Sequence, residues 1–489
     1  MKNSYSKKDL IILLTALCLL VSFFFVLFFK EERIKEEINE EINKLPFNYE
    51  SICSYDLVRR IENYRKGVAS YNELLKTRDE LVFFNQTHLM EEKWPTVYIY
   101  SYDGNGNNLK NYHGKKEARI VFVDSNGDVI DDDNCIINVR GNSTSGGDKR
   151  PYNIKFSKKV DILGFGKNKK WSLLAECFDP TMIRNKLFFE LAKEMELEYT
   201  PESEYVKVYM DDVYKGCYLL TERVNASISR VDIDVYSGDF IFEYEEERED
   251  KDTVYINSDN DWRFRIVDPD EPDYETEEYM HQSINLFDNA VYSGDYKNVR
   301  NTIDVESFAK FYLLNEFAKN IDFDYSSVKF YKKNGIIYAG PVWDFDISSG
   351  NYSINYYPDA WEGESPEEKD NKKISYAEFV CTRNPIFDRL MEYPEFRSLV
   401  NETFEKYYSL FESSYSDGGM IDQLTGRYRE LFETNYSDTE NGGAGWVIFH
   451  TYSGLEFEER GETYDENIEY LRTWLKDRLN WMKENMWQE

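Results

Sequence analysis

Residues 320–350 read NIDFDYSSVKFYKKNGIIYAGPVWDFDISSG, and the reading of the whole chain turns on them. VKFY (328–331) and IIYA (336–339) are strand-like runs. Asn334-Gly335 between them suits a tight hairpin turn, whose two central residues both need φ > 0. A hairpin returns its far end to its near end. Asp322, before the first strand, and Asp344, after the second, are therefore expected side by side. Two carboxylates so delivered can hold a divalent cation, or act one as base and one as metal ligand. The alternative is a pair of turn-capping or solvated acids in a chain that has 92 of them.

A second group lies upstream. Arg140-Gly-Asn-Ser-Thr is followed by Lys149-Arg-Pro-Tyr-Asn-Ile-Lys155. A lysine or arginine aimed from a strand into a cleft can neutralise phosphate, and Arg140 and Lys155 are the candidates. Ile183–Glu190 reads as a helix, with Glu190 able to face Lys155 as a buried ion-pair partner. Glu222, in CYLLTERV, falls where a junction could meet an adenine. Each has a plainer alternative: a surface cation, a solvated helix position, an ordinary strand end. DGNGNN (103–108) and LGFGK (163–167) lack the strand–helix context of a phosphate-cradling loop and read as turns.

The chain has 489 residues, with 59 Lys+Arg against 92 Asp+Glu, a net charge of −33. That balance excludes a sequence-general nucleic-acid binder. Hydrophobics at 41% and aromatics at 16% supply ample core. Six cysteines are scattered without a C-x-x-C, and the four histidines have no ligand spacing. Neither a disulfide framework, a zinc site nor a histidine-based hydrolase is indicated. Leu10–Phe29 carries no charge over about 30 Å of helix, the thickness of a bilayer core, and no small-residue cleavage pair follows. It predicts a single-pass signal anchor at the cell membrane, with the globular part outside the cytoplasm.

The expected organisation is a tail at 1–9, a transmembrane helix at 10–29, and a helical stalk at 30–93. A β-rich N-terminal lobe follows at 94–245, then a mainly helical C-terminal lobe at 246–489. The stalk rests on Ile34, Ile38 and Ile42 at helical spacing and on a second helix from about Asp56 to Phe84. Its stripe could also pair two chains. The class is α+β.

Several segments, in this order, resemble the CotH kinase family, named for spore coat protein H. They include INVRGNSTSGGDKRPYNIKFSKK, LLAECFDPTMIRNKLFFELAKEM, YTPESEYVKVYMDDVYKGCYLLTERV and GPVWDFDISSGN. The resemblance runs from about Trp94 to the C-terminus. It implies an atypical, bilobal protein-kinase-like fold that transfers the γ-phosphoryl group of ATP to Ser or Thr of proteins with Mg²⁺ or Mn²⁺. It implies Asp322 as the catalytic-loop aspartate, Asp344 as the metal-binding one, and Lys155 and Arg140 on the nucleotide phosphates. Glu190 as the lysine's partner and Glu222 near the base rest on position alone. Ordinary kinases place an Asn five residues after the catalytic Asp, to hold a second metal. Here that residue is Ser327, and Asp346 is expected to make up the missing oxygen. The competing reading is an inactive surface protein on the same fold, binding a protein or glycan or serving in coat assembly.

Overall fold

The computed structural model describes residues 7–45, 53–88, 93–102, 104, 106, 114–141, 143–245, 253–324, 326–351, 365, 375–441, 443–447, 451–452, 455–456 and 461–486. Its first sheet is a closed seven-stranded barrel. The strands are β1 (Thr96–Ser101), β2 (Lys115–Val123), β3 (Val129–Val139), β4 (Tyr152–Val160), β5 (Asn168–Leu174), β6 (Ser203–Met210) and β7 (Val213–Glu222). They run in the order β1-β2-β3-β4-β5-β7-β6, and a parallel pairing of β1 with β6, from Thr96↔Lys207 to Ile99↔Met210, closes the ring. Alternation does the rest. Val97, Ile99, Ile120, Phe122, Ile137, Ile154, Trp171, Val208 and Leu220 fill the interior, while their neighbours in sequence form the outer wall.

That outer wall is covered on two sides. Tyr98, Tyr100, Val121, Val123 and Tyr209 lie under the N-terminal helices α1 (Lys7–Ile42), α2 (Tyr55–Arg65) and α3 (Tyr71–His88). Ile34, Ile38, Leu57, Ile61, Leu81 and Phe84 are the helical half of this cluster. Elsewhere Tyr205, Cys217 and Leu219 join the main core beneath α4 (Arg184–Glu194). Tyr205 makes edge contacts at 4.7 Å with Tyr428 and 4.8 Å with Phe432.

A second, five-stranded antiparallel sheet has the order β12-β11-β8-β10-β9. Its members are β8 (Phe240–Tyr244), β9 (Tyr255–Asn257), β10 (Arg263–Asp268), β11 (Val328–Lys333) and β12 (Ile336–Ala339). It joins a strand before residue 246 to strands after it. Phe242, Phe264 and Phe330 meet Phe287 and Phe308 of α5 (Tyr274–Tyr292) and α7 (Val305–Ala318; α6 is Tyr296–Thr302), with Phe308 stacked on Phe330 at 5.5 Å. The hairpin is formed as its sequence asks: Asn334 has φ +53° and Gly335 φ +86°. Helices α8 (Pro385–Met391), α9 (Pro394–Tyr415), α10 (Met420–Tyr436) and α11 (Tyr464–Asn485) complete the core. A fully buried ion pair, Arg478–Glu316 at 3.0 Å, fastens α11 to α7.

Three expectations about fold and location are corrected. In place of the expected α+β chain with a β-rich lobe, the β-rich part is a closed seven-stranded barrel in a mixed α/β chain. Its closing β1–β6 pair is long-range, and strand periodicity carries no information about it. The helical segment is not a free stalk, because Ile34 and Ile38 are buried in one cluster with the neighbouring helices and the barrel's outer wall. The transmembrane helix and the single-pass membrane location are not supported: among the described residues, no helix is long and apolar enough to cross a membrane. The run at 10–29 belongs to a 36-residue helix that continues unbroken through Glu31, Glu32, Arg33 and Lys35. Its later turns dock on α3, where Arg78 reaches Glu37 at 3.3 Å and Asn85 donates to the Glu41 carbonyl at 2.9 Å. Residues 1–6 of the tail lie outside the described residues.

Ile61, fully buried between the helices and the barrel, tests this docking. Ile61→Ala should cost about 2–5 kcal/mol in urea unfolding. It should move the transition reported by barrel aromatics. An independent stalk would melt separately and leave that transition in place.

Candidate functional site

Strands β3 and β5 end, and β4 begins, at one mouth of the barrel, because successive pairs are antiparallel. The segment after β5 and the segment after the hairpin meet there. Residues 343–346 read Trp-Asp-Phe-Asp. Phe345 is fully buried and stacked on Phe188 at 4.8 Å, so the central ring anchors the segment. Its backbone N–H donates to Asn185 Oδ1 at 2.7 Å. Arg184, buried against Asp179, donates through Nε to the Ser348 carbonyl at 3.1 Å and through its terminal nitrogen to that of Ser349 at 3.4 Å. Asn351 Nδ2 bridges the carbonyls of Phe178 (2.8 Å) and Asp346 (2.6 Å).

Asp322 occupies a one-turn 3₁₀ helix, Ile321–Asp324, just beyond α7, where Lys319 ends the helix in the left-handed conformation. Asn320 Nδ2 donates to the Asp344 carbonyl at 3.3 Å, and Ser327 Oγ to Asp344 Oδ2 at 3.1 Å. The hairpin thus brings Asp322 and Asp344 into one field. Burial, then Asp344, then Asp324 push the Asp322 carboxyl up to about 7. Burial, then Asp344, Asp322 and Asp179, push Asp346 well above the carboxylate range, with Arg140 opposing.

Arg140 belongs to the same place. Its guanidinium lies 5.2 Å from the centre of the Trp343 ring. Lys329 Nζ stands 5.7 Å from the same ring and 3.2 Å from Glu243, which Arg265 also holds at 2.8 Å. Burial works against the Glu243 charge, but Arg265 and Lys329 outweigh it and hold the carboxyl at about 2.

Three expected site residues stand elsewhere. Lys155 is exposed on the barrel's outer wall, out of step with the buried Ile154 and Phe156. Glu190 does not pair with it; its partners are Lys186 at 2.8 Å and Lys193 at 3.6 Å, both within reach on α4. Glu222 ends β7, which is antiparallel to β5 and so finishes at the opposite mouth. There it pairs with Arg230, whose guanidinium lies 4.5 Å over Trp171. Burial, with Arg230 opposing, pushes the Glu222 carboxyl up to about 7.

Residues that pattern reading passed over take their place. Glu176, at φ +51° and buried, receives both Asn185 amide contacts, at 3.2 and 3.1 Å. Burial, then Asp346 and Asp179, push its carboxyl well above the usual range. Lys149, also buried, donates to the Cys217 carbonyl at 2.7 Å, and burial pushes its amine down to about 8. The Glu176 and Lys149 segments stood out in the sequence as motifs. Their burial, which makes them functional candidates, depends on barrel closure.

Among the described residues, no three His, Cys, Asp or Glu side chains form a ready-made metal cluster. The donor chemistry nevertheless suits a hard cation. Asp322, Asp344 and Asp346 share one field, and burial together with the neighbouring carboxylates drives Asp322 and Asp346 toward protonation.

The model of one family, described as CotH kinase protein, matches residues 137–482. The chain belongs to the CotH kinase family. No curated protein matches the chain. Membership makes it a kinase-like protein and brings with it, in general, nucleotide and divalent-metal use and protein substrates. The match to the CotH kinase family takes in Arg140, Lys149, Glu176, Asp322, Asp344 and Asp346, but not β1, β2 or the N-terminal helices.

The charge imbalance gives a signed prediction. Folded Asp322 keeps its proton up to about pH 7, whereas an unfolded aspartate releases it near 3.8. The folded state therefore binds more protons between those values, and Asp322 favours folding less as pH rises through them. Melting without nucleotide or metal should show wild type losing more stability than Asp322→Asn between pH 5 and 8, an interval inside and just above that window. Parallel curves would refute the assigned environment.

Proposed function

We propose that the protein transfers the γ-phosphoryl group of ATP to Ser or Thr hydroxyls of proteins, with Mg²⁺ or Mn²⁺. The observation that carries this reading is Asp322: a half-buried carboxyl poised near 7 beside a second acid is what a general base for hydroxyl activation requires. In this reading Asp322 accepts the acceptor's hydroxyl proton as the new O–P bond forms. The bond from the γ-phosphorus to its bridging oxygen breaks, and ADP departs. Asp344 and Asp346 would hold the divalent cation. When bound, that cation would neutralise phosphate charge, part of which Asp322 and its neighbours would otherwise repel.

Arg140, over the Trp343 ring and in the field of Asp346, offers its planar fork to phosphate oxygens. Lys149, enclosed at the barrel mouth, takes the phosphate role in place of the exposed Lys155. Glu176 lies in the field of Lys149, held toward its neutral acid form by burial, Asp346 and Asp179. Trp343, Phe345 and the barrel mouth exclude water, so these charges act at low dielectric.

A second reading, a kinase-like protein that binds a protein or glycan, or assembles a surface or coat, without catalysis, draws on Ser327 standing where kinases place a metal-binding Asn.

Transfer of ³²P from γ-labelled ATP to a generic Ser/Thr-rich acceptor in Mn²⁺ separates the two. Wild type should label it, and Asp344→Asn should fall by about 10²-fold or more. Lys155→Ala should leave labelling unchanged. Labelling that is equal in wild type and Asp344→Asn would overturn the catalytic reading. So would the absence of a thermal shift with ATP and Mn²⁺ at saturating concentration, where binding contributes about 2.7 kcal/mol at a hundred times Kd.

A further inference from the structure

Ser327 is five residues beyond Asp322, where a two-metal phosphotransferase carries an amide side chain for its second cation. Its backbone has φ +64°, a left-handed conformation that suits Asn or Gly better than Ser. Asp344, on the other side of the hairpin, is left-handed as well, at φ +65°. The two residues flank the hairpin's open end, and the Ser327 hydroxyl joins them by donating to Asp344 Oδ2 at 3.1 Å.

The main chain around Asp344 is already fixed. Asn320 Nδ2 holds its carbonyl at 3.3 Å, and Asn185 Oδ1 holds the next N–H at 2.7 Å. What remains free is rotation of the carboxylate, and the Ser327 hydroxyl restrains it. A hydroxyl already engaged in this way, and shorter than an asparagine amide, is a poor ligand for a second hard cation. A separate observation points the same way. Lys329, buried on β11 and paired with Glu243 at 3.2 Å, lies in the field of Asp344. A fixed positive charge already stands on that side and opposes a second divalent ion.

We propose that Ser327 is a positioning residue that locks the Asp344 carboxylate, and that the site is thereby built for one divalent cation rather than two. This deepens the kinase reading and rests on it.

Mn²⁺ binding to the full chain, followed by electron paramagnetic resonance with a non-hydrolysable ATP analogue, tests it. Wild type should bind one Mn²⁺ per chain. Ser327→Gly removes the hydroxyl while suiting the left-handed backbone, so it should fold. It should still bind one ion, but about 2- to 12-fold more weakly, the loss of one hydrogen bond. Ser327→Asn should raise the stoichiometry to two. Two ions on wild type, or an affinity in Ser327→Gly equal to wild type, would overturn the proposal while leaving the kinase reading standing. Binding that survives Asp344→Asn undiminished, or no binding by wild type, would overturn both.

Discussion

The buried link between Asp179-Arg184-Asn185 and residues 345–351 is the constraint on which the site depends. Arg184 is nearly inaccessible and makes its ion pair with Asp179. Its remaining donors go to carbonyls of the segment that carries Asp344 and Asp346. Such a guanidinium cannot be left half-satisfied without a large penalty. The barrel's exit strand and the hairpin's exit segment therefore have to meet in one register. Phe345 stacks on Phe188 from the same helix, so apolar packing and polar satisfaction enforce the same geometry.

Given that junction, the charges follow. The acids at 322, 344 and 346 cannot spread apart, and Glu176 adds a fourth carboxyl within the same enclosure. Arg140 and Lys149 offset only part of this. Natural cores seldom keep such an imbalance unless a ligand resolves it, which is why strongly shifted groups gather at working sites. Structural ion pairs in the same molecule look different. Glu316 is paired with Arg478, and Glu243 is held by two cations, Arg265 and Lys329, so neither acid lacks a basic partner.

What could be read in the sequence was local. Asn334-Gly335 between two apolar runs defines the hairpin, because the backbone demands of that turn are almost unique to those residues. The approach of Asp322 to Asp344 followed from hairpin geometry alone. Lys155 and Glu190 stand apart from each other and from the acids for a shared reason. Each was assigned by spacing along one element, whereas their surroundings are decided by barrel closure and by Lys186 and Lys193 on the same helix. The isoleucine stripe at 34–42 was visible, but a stripe says only that it will be buried, not against what. The apolar run before it invited a membrane reading for the same reason.

The barrel has a practical corollary for anyone isolating the portion that matches the family. Residues 137–482 omit β1, β2 and all but the end of β3, hence the pair that closes the ring. A fragment cut at that boundary would leave β4 and β6 with unpaired backbone edges and would uncover the hydrophobic interior between them. Raw sheet borders of that kind invite strand addition from neighbouring molecules. The portion that matches the family is thus not a closed sheet on its own here: the candidate site borrows its architecture from residues that precede it.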